Sequence, residues 1–419
     1  LKILVVTYFF PPENAIGGQR PFSWAKAWVR EGHEVDILTV AKDIPYSGTH
    51  GFTVHEVCPQ APFLWLKSFY RKRLKTPKSS GGVSGSSRPS LLKRIFAWMK
   101  GRGLSSSTRM PDPSDFWILP ALRHARSLNQ KWDLVISTFG PYSCHVIANK
   151  LKSDGYVARW TADFRDLWTL NPYFLGFPII KIFERMLERK LVHQADIVLT
   201  VSEPLSLDMK KLYPTIKVAT IENGADSDDF QISPPRRKSE KKRIVYTGTI
   251  YPGRRDPGPL LRALSKIEDR QERVEIIFAG PPSDYLEQTI DESGARDCVS
   301  VLGLIERREA LLLQQDCDVL LFLESNAPDA AGVLTGKLFE YLFSLREIWG
   351  VGVDSTTLSG KIIEDSGAGI TFGNDEVSLE RELRRLIQDG SKNVILDPMF
   401  KQKYDRREQA KEVLRLSMP

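Results

Sequence analysis

The chain has 419 residues, 42% of them hydrophobic and 26% charged, with 59 Lys and Arg against 52 Asp and Glu for a formal net charge of +7. This composition excludes a disordered polymer, a collagen-like repeat and a disulfide-stapled miniprotein, and the length accommodates two or three cores. The apolar runs Leu1–Phe10, Pro172–Phe183 and Asp318–Leu323 are short or broken by charge, below the roughly 18–20 residues that cross a bilayer.

In chain order, Leu1–Val6 reads as a buried strand and not as a secretory leader. Lys2–Thr7, Val35–Val40, Thr53–Val57, Leu134–Ser137, Val157–Thr161, Ile197–Thr200 and Val218–Ile221 are short runs rich in Val and Ile. Such near-continuous runs suit strands buried on both faces of a parallel sheet. Helix-length segments separate them. Gln19–Glu31 places Phe22, Ala25 and Val29 on one face and stops at Gly32. Strands alternating with helices predict a doubly wound α/β domain over 1–225.

Residues 226–243 are polar, charged and proline-containing, as a linker is. The alternation then restarts over 244–397, with strands predicted at Arg243–Thr247, Val274–Phe278, Val299–Leu302, Val319–Leu323, Ile348–Val351 and Gly369–Phe372. A last helix, about Pro398–Leu416 within 398–419, has no strand after it and is expected to pack back toward the first domain. The expected fold class is therefore α/β, with two Rossmann-like doubly wound domains facing a cleft. Ligands of such sheets bind at the C-terminal edges of the strands.

Cys58, Cys144, Cys298 and Cys317 are scattered, without a C-x-x-C pair or a His cluster, which reads as neutral thiols in a reducing compartment. The charge is uneven. Between Glu56 and Asp112 there are twelve basic residues and no acidic one, so the rest of the chain carries −5. Within about 62–107, Trp65, Lys67, Arg71, Lys72 and Arg73 form one basic, aromatic cluster, and Lys93, Arg94 and Trp98 form another, around a Ser/Gly-rich stretch. Basic residues beside aromatic ones suit an interfacial helix on an anionic membrane, each contributing about 1 kcal/mol. Nucleic acid and a solvated loop are the competing readings. No recognised nucleic-acid motif accompanies the segment, so a nucleic-acid partner is not expected.

Four constellations carry chemistry. Gly17 and Gly18 follow the first strand and precede a helix, where free amides can meet an anion or a sugar; a tight turn without ligand is the alternative. No G-x-G-x-x-G or phosphate-binding G-x-x-x-x-G-K-[ST] is present. Gly332, Val333, Leu334 and Thr335 lead into a helix whose first turn carries Lys337 and whose second carries Glu340. The amides and Lys337 can bind a phosphate and Glu340 a ribose diol, unless Glu340 only complements the helix dipole. Asp163, Arg165 and Asp166 stand at the end of a strand, where they line a ligand wall or form a salt-bridged loop. One of the carboxylates there could serve as general base. Asp226-Ser-Asp228 can be read as a metal pair or a helix cap. The cap is expected, and no metal.

Six stretches, some overlapping these, carry a family resemblance. They are Pro11-Pro12 with Gly17-Gly18, Gly32-His-Glu-Val-Asp-Ile-Leu-Thr39, Ala195-Asp-Ile-Val-Leu-Thr-Val-Ser202, Ile221-Glu-Asn-Gly-Ala-Asp226 with Phe230, Tyr246-Thr-Gly248-Thr-Ile-Tyr-Pro, and Thr335-Gly-Lys-Leu-Phe-Glu-Tyr-Leu342. Over nearly its whole length the chain resembles retaining glycosyltransferases of the GT-B fold, family 4. The resemblance implies a nucleotide-sugar co-substrate, expected to be a UDP-sugar, held by Gly248, Arg254, Lys337 and Glu340, and no other cofactor. Glu340 matches the second Glu of a Glu-x7-Glu motif. The first falls on Gly332, so that carboxylate is missing, with Asp329 its nearest substitute. Phe343-Ser-Leu345-Arg-Glu347 also departs from the small residue, Gly and Pro usual there, which is expected to affect the base pocket or the activity.

The resemblance further implies that the departing diphosphate takes the acceptor's proton. Together with the basic segment it points to a hexosyltransferase-type enzyme, peripheral at the cytoplasmic face of the membrane. Its acceptor is expected to be a lipid-linked saccharide of surface polysaccharide synthesis. An epimerase or phosphorylase on this fold, and a non-catalytic scaffold of a polysaccharide assembly complex, are the alternatives.

Overall fold

The computed structural model describes residues 1–13, 15–60, 109–171, 176–231, 240–324 and 334–418. Trp65, Lys67, Arg71, Lys72, Arg73, Lys93, Arg94, Trp98, Asp329, Gly332 and Val333 lie outside these. By packing, Leu1–Ile221 with Ala410–Pro419 form one unit and Glu222–Gln409 the other.

The first unit is built on a seven-stranded sheet: β1 (Lys2–Val6), β2 (Glu34–Val40), β3 (Thr53–Val57), β4 (Trp132–Thr138), β5 (Val157–Phe164), β6 (Ile197–Thr200) and β7 (Val218–Thr220). The order is β3-β2-β1-β4-β5-β6-β7, and every pair is parallel. The alternating sides of β1 show why the run is continuously apolar. Ile3 and Val5 pack with Trp24 and Trp28 of helix Ile16–Arg30, while Leu4 and Val6 pack with Trp117 and Ala121 on the opposite face. Both faces are covered, so neither parity of the strand can be polar. The chain end completes one face: Ala410, Val413 and Leu414 join the Trp28 cluster, and Trp28 Nε1 donates to Ala410 O at 2.9 Å.

The second unit repeats the plan with six strands: β8 (Lys242–Thr247), β9 (Val274–Ala279), β10 (Val299–Gly303), β11 (Val319–Leu323), β12 (Glu347–Val351) and β13 (Gly369–Gly373). Their order is β10-β9-β8-β11-β12-β13, again all parallel. Val319, Leu321 and Leu323 face one core and Leu320 and Phe322 the other.

Three local expectations differ from the structure. Residues 222–230 pack in the second unit: Ala225 N donates to Tyr404 O at 3.0 Å, and Ser227–Phe230 form a 3-10 turn. The last helix is two helices, Pro398–Tyr404 and Arg406–Ser417. Asp405 is extended between them, and the following Arg406 N donates to Ala225 O, which diverts the chain from helical pairing. The first helix starts at Ile16, so Gly17 and Gly18 lie inside its first turn and not ahead of it.

The departure at Leu345–Glu347 sits where helix Gly336–Phe343 ends and β12 begins. That is the end of the helix opposite Lys337, about 12 Å away at 1.5 Å per residue. Glu347 is buried yet satisfied: Arg385 Nη2 and Lys392 N each donate to it at 2.7 Å, and Trp349 Nε1 at 3.1 Å. Leu345 has φ 55, a conformation in which its Cβ crowds the following carbonyl. Its side chain is largely exposed. Leu345→Gly is therefore expected to stabilise the fold by about 1 kcal/mol, measured as a higher urea midpoint with an unchanged slope.

Candidate functional site

Strand order reverses direction at two places, between β1 and β4 and between β8 and β11. At such switch points the loops leaving adjacent strands diverge, and the gap admits a ligand.

In the second unit this gap holds four groups. Gly248 follows β8 with φ +128, and a Cβ there would stand 2.6 Å from Lys337 Nζ. Only glycine fits both the backbone and the neighbour. Lys337 is the second residue of helix Gly336–Phe343 and is buried. Its ammonium lies 3.9 Å from the centroid of the Tyr246 ring and has no hydrogen-bond partner among the described residues. Burial, and then the charge of Arg255, hold its pKa well below the usual lysine range, with Glu324 and Glu340 opposing. Glu324 directly follows β11. Burial pushes its carboxyl up to about 7 against the pull of Arg255 and Lys337, and its Oε2 also lacks a partner among the described residues.

Arg255 is fixed by donating to Thr249 O at 3.2 Å, and Tyr246 Oη donates to the same carbonyl at 2.8 Å. Arg254 is half-buried in the same turn. It is the neighbouring Arg255 whose charge acts on Lys337 and Glu324.

The helix end is held from several sides. Thr335 is extended at its N-cap position, without a side-chain cap. Asn223 Nδ2 donates to Leu334 O at 2.7 Å, fixing the approach to the first turn. Thr247 N donates to Tyr341 Oη at 3.0 Å, tying the end of β8 to the same helix. Glu340, one turn beyond Lys337, accepts from Arg307 Nη1 at 2.6 Å, and Arg307 Nη2 donates to Asp229 at 2.8 Å. Burial opposes the Arg307 charge, but Glu340 and Asp229 outweigh it and raise its pKa. Glu340 Oε1 is thus held in place by this ion pair. Arg406 is a second buried guanidinium near Glu340, Asp226 and Asp229. Burial, then Arg307, lower its pKa to about 10. Asp226 Oδ1 accepts from Asp228 N at 3.1 Å, so this carboxylate caps the Ser227–Phe230 turn.

Together these residues set a desolvated amine and a carboxyl beside the first turn of a helix, with Lys337 Nζ and Glu324 Oε2 lacking hydrogen-bond partners among the described residues. A diphosphate would supply the missing acceptors. It would be held best with both Lys337 and Glu324 protonated, so binding should take up a proton. Nucleotide affinity is accordingly expected to fall as pH rises from 6.5 to 8.5, by up to about tenfold per unit for one proton. Titration calorimetry in buffers of different ionisation enthalpy checks this. A pH slope that persists in the Lys337→Met, Glu324→Gln double variant would overturn the assignment.

At the first unit's switch point Gly18 approaches Phe9 so closely that a Cβ would meet its carbonyl oxygen at 2.8 Å. Arg165 Nη2 donates to Phe139 O at 2.9 Å. Its guanidinium lies against Gly17 and Gly140, where added Cβ atoms would come within 2.7 and 2.9 Å. Asp166 is exposed. Asp163 is different: it is wholly buried and bonded by Arg20, Nη2 to Oδ1 at 3.1 Å and Nε to Oδ2 at 3.2 Å. Arg20 also donates to Ile221 O at 2.7 Å and lies 4.3 Å over Trp24. The expectation that Asp163 acts on a ligand is corrected: both its oxygens are committed to a guanidinium inside the core.

Sequence reasoning missed Arg255, Glu324 and Arg307. Glu324 carried a usable signal, a carboxylate directly after a wholly apolar strand. Arg307 carried none, because its partners are 33 and 78 residues away in sequence.

No family model matches the chain. It is 24% identical over 343 residues to an uncharacterized glycosyltransferase of Methanocaldococcus jannaschii, covering 77% of this chain and 74% of that one. Among solved structures, sucrose-phosphate synthase of Thermosynechococcus elongatus superposes with a TM-score of 0.62 at 12% identity, over 99% of this chain and 98% of that one. Anabaena HepE, solved in complex with UDP and glucose, gives 0.60 at 14% identity, over 99% and 98%. The fold is that of the two-Rossmann-domain GT-B glycosyltransferase structures.

Proposed function

We propose that the protein is a retaining glycosyltransferase of family 4, moving a sugar from a UDP-sugar to a lipid-linked saccharide in surface polysaccharide synthesis. The observation that carries this reading is the unbalanced cluster at the β8–β11 switch point. Gly248, Lys337 and the helix amides offer a diphosphate site, and Glu340 stands one helical turn on. The M. jannaschii relative, named a glycosyltransferase, and the HepE complex, with UDP in a protein of the same fold, support it.

In the proposed reaction the bond between the sugar's anomeric carbon and the β-phosphate oxygen breaks. The acceptor hydroxyl oxygen bonds to that carbon on the same face, and its proton passes to the departing phosphate. Lys337, Arg254, Arg255 and the amides at Thr335–Gly336 stabilise the charge that develops there. These cations take the part a divalent ion plays in other transferases. Gly17, Gly18, Arg165 and Asp166 are the proposed acceptor-side groups. The basic, aromatic segment 62–107 would hold the enzyme at the cytoplasmic face of the membrane, where lipid-linked acceptors are. Among the described residues no helix is long and apolar enough to cross a membrane.

UDP is expected to bind the wild type with unchanged affinity in chelator, and to bind Glu340→Ala at least about tenfold more weakly. Equal binding by the two proteins, in a thermal-shift or calorimetric titration, would sink the donor-site assignment.

A further inference from the structure

Helix Ile180–Gln194 of the first unit buries Leu191 and Val192 at its C-terminal end, but its N-terminal half is reversed. Its two acidic residues, Glu184 and Glu188, are buried, whereas Ile179, Ile182, Phe183 and Met186 are 75%, 62%, 60% and 65% exposed. Burial-driven packing gives the reverse. The inward carboxylates are specifically satisfied. Arg109 Nη1 donates to Glu184 at 3.1 Å and Met110 N at 2.8 Å, while Tyr213 Oη and Thr169 Oγ1 donate to Glu188. The helix is therefore locked in this rotation, with Ile182, Phe183 and Met186 outward.

The exposed side chains stand at i, i+3, i+4 and i+7, one stripe of a helix. Arg185, Arg189 and Lys190 are exposed around and beyond the stripe. Because both acids point inward, the outward face of this helix carries cations and no anion. An apolar stripe flanked only by cations matches an anionic interface, with hydrocarbon for the stripe and headgroup phosphates for the Arg and Lys side chains.

We propose that the outward face of helix Ile180–Gln194 is a docking surface for an anionic lipid bilayer. It names a membrane contact separate from segment 62–107, and it shares only its partner with the peripheral-membrane reading above. Ile182, Phe183 and Met186 enter the acyl boundary, and Arg185, Arg189 and Lys190 meet the phosphates.

The test is co-sedimentation of the full chain with phosphatidylglycerol-containing and with pure phosphatidylcholine vesicles. Wild type is expected to partition onto the anionic vesicles only. Ile182→Asp with Met186→Asp, and separately Arg185→Glu with Arg189→Glu, should each lower that partition about tenfold or more. A thermal melt reports that each variant is folded, and absence of UDP binding in wild type would fail the transferase reading without touching this one. Deleting 65–100 should leave a residual partition that the helix substitutions remove. Wild-type partition by the Ile182→Asp, Met186→Asp variant would overturn the proposal. So would equal partition onto neutral vesicles, or self-association of wild type that the same substitutions abolish.

Discussion

Lys337→Met is expected to weaken UDP binding about 100-fold, equivalent to about 3 kcal/mol, without lowering the melting temperature of the unliganded protein. The two halves of this result have one cause. The ammonium is desolvated against Tyr246 and makes no internal hydrogen bond among the described residues, so the empty site bears the cost of burying it. Methionine has similar length and no such cost, so the unliganded fold should hold or gain stability. A diphosphate, by contrast, meets its charge in a low-dielectric setting where a charge-assisted bond is strong. Calorimetric titration with UDP, paired with a thermal melt, reads both. A variant that binds UDP normally, or that loses binding only because it melts, contradicts the assignment of Lys337 to the ligand.

Asp163→Ala is expected to destabilise the first unit by about 3–5 kcal/mol, because it removes the carboxylate that neutralises the Arg20 charge in the core. Burial already lowers the Arg20 pKa, and Asp163 is the main opposing influence. Arg20→Met in the same chain removes the stranded charge, so the double variant should recover much of the loss. Chemical denaturation of the single and double variants measures this coupling. A general base would behave otherwise: its removal would abolish turnover with little change in stability, and no change at Arg20 would restore it. Normal stability in Asp163→Ala would therefore return the residue to the list of groups that act on a ligand.

The two residues illustrate different kinds of legibility. The place of Lys337 in a helix's first turn could be read from sequence because its neighbours Gly336 and Thr335 announce a helix start. Asp163 was equally visible as a carboxylate at a strand's C-terminal end, but its role depends on Arg20, 143 residues earlier. The sign of its contribution, ligand group or core clamp, is set by that distant partner. Helix Ile180–Gln194 makes the same point: Arg109, Thr169 and Tyr213, all outside it in sequence, hold its two glutamates inward.

Sequence alone determined the thirteen strands among the described residues to within a few residues, the parallel α/β class and the division into two similar halves. Each follows from local periodicity: a strand buried on both faces must be apolar at every position, and short apolar runs separated by helix lengths leave few alternatives. Tertiary structure decided how the polar groups are buried and paired. It sets Arg255 and Glu324 beside Lys337, and Arg307 on Glu340, and it ties Asp163 to Arg20, because these residues are brought together only by the sheet order. No local pattern encodes the electrostatic state of a side chain whose partners lie elsewhere in the chain.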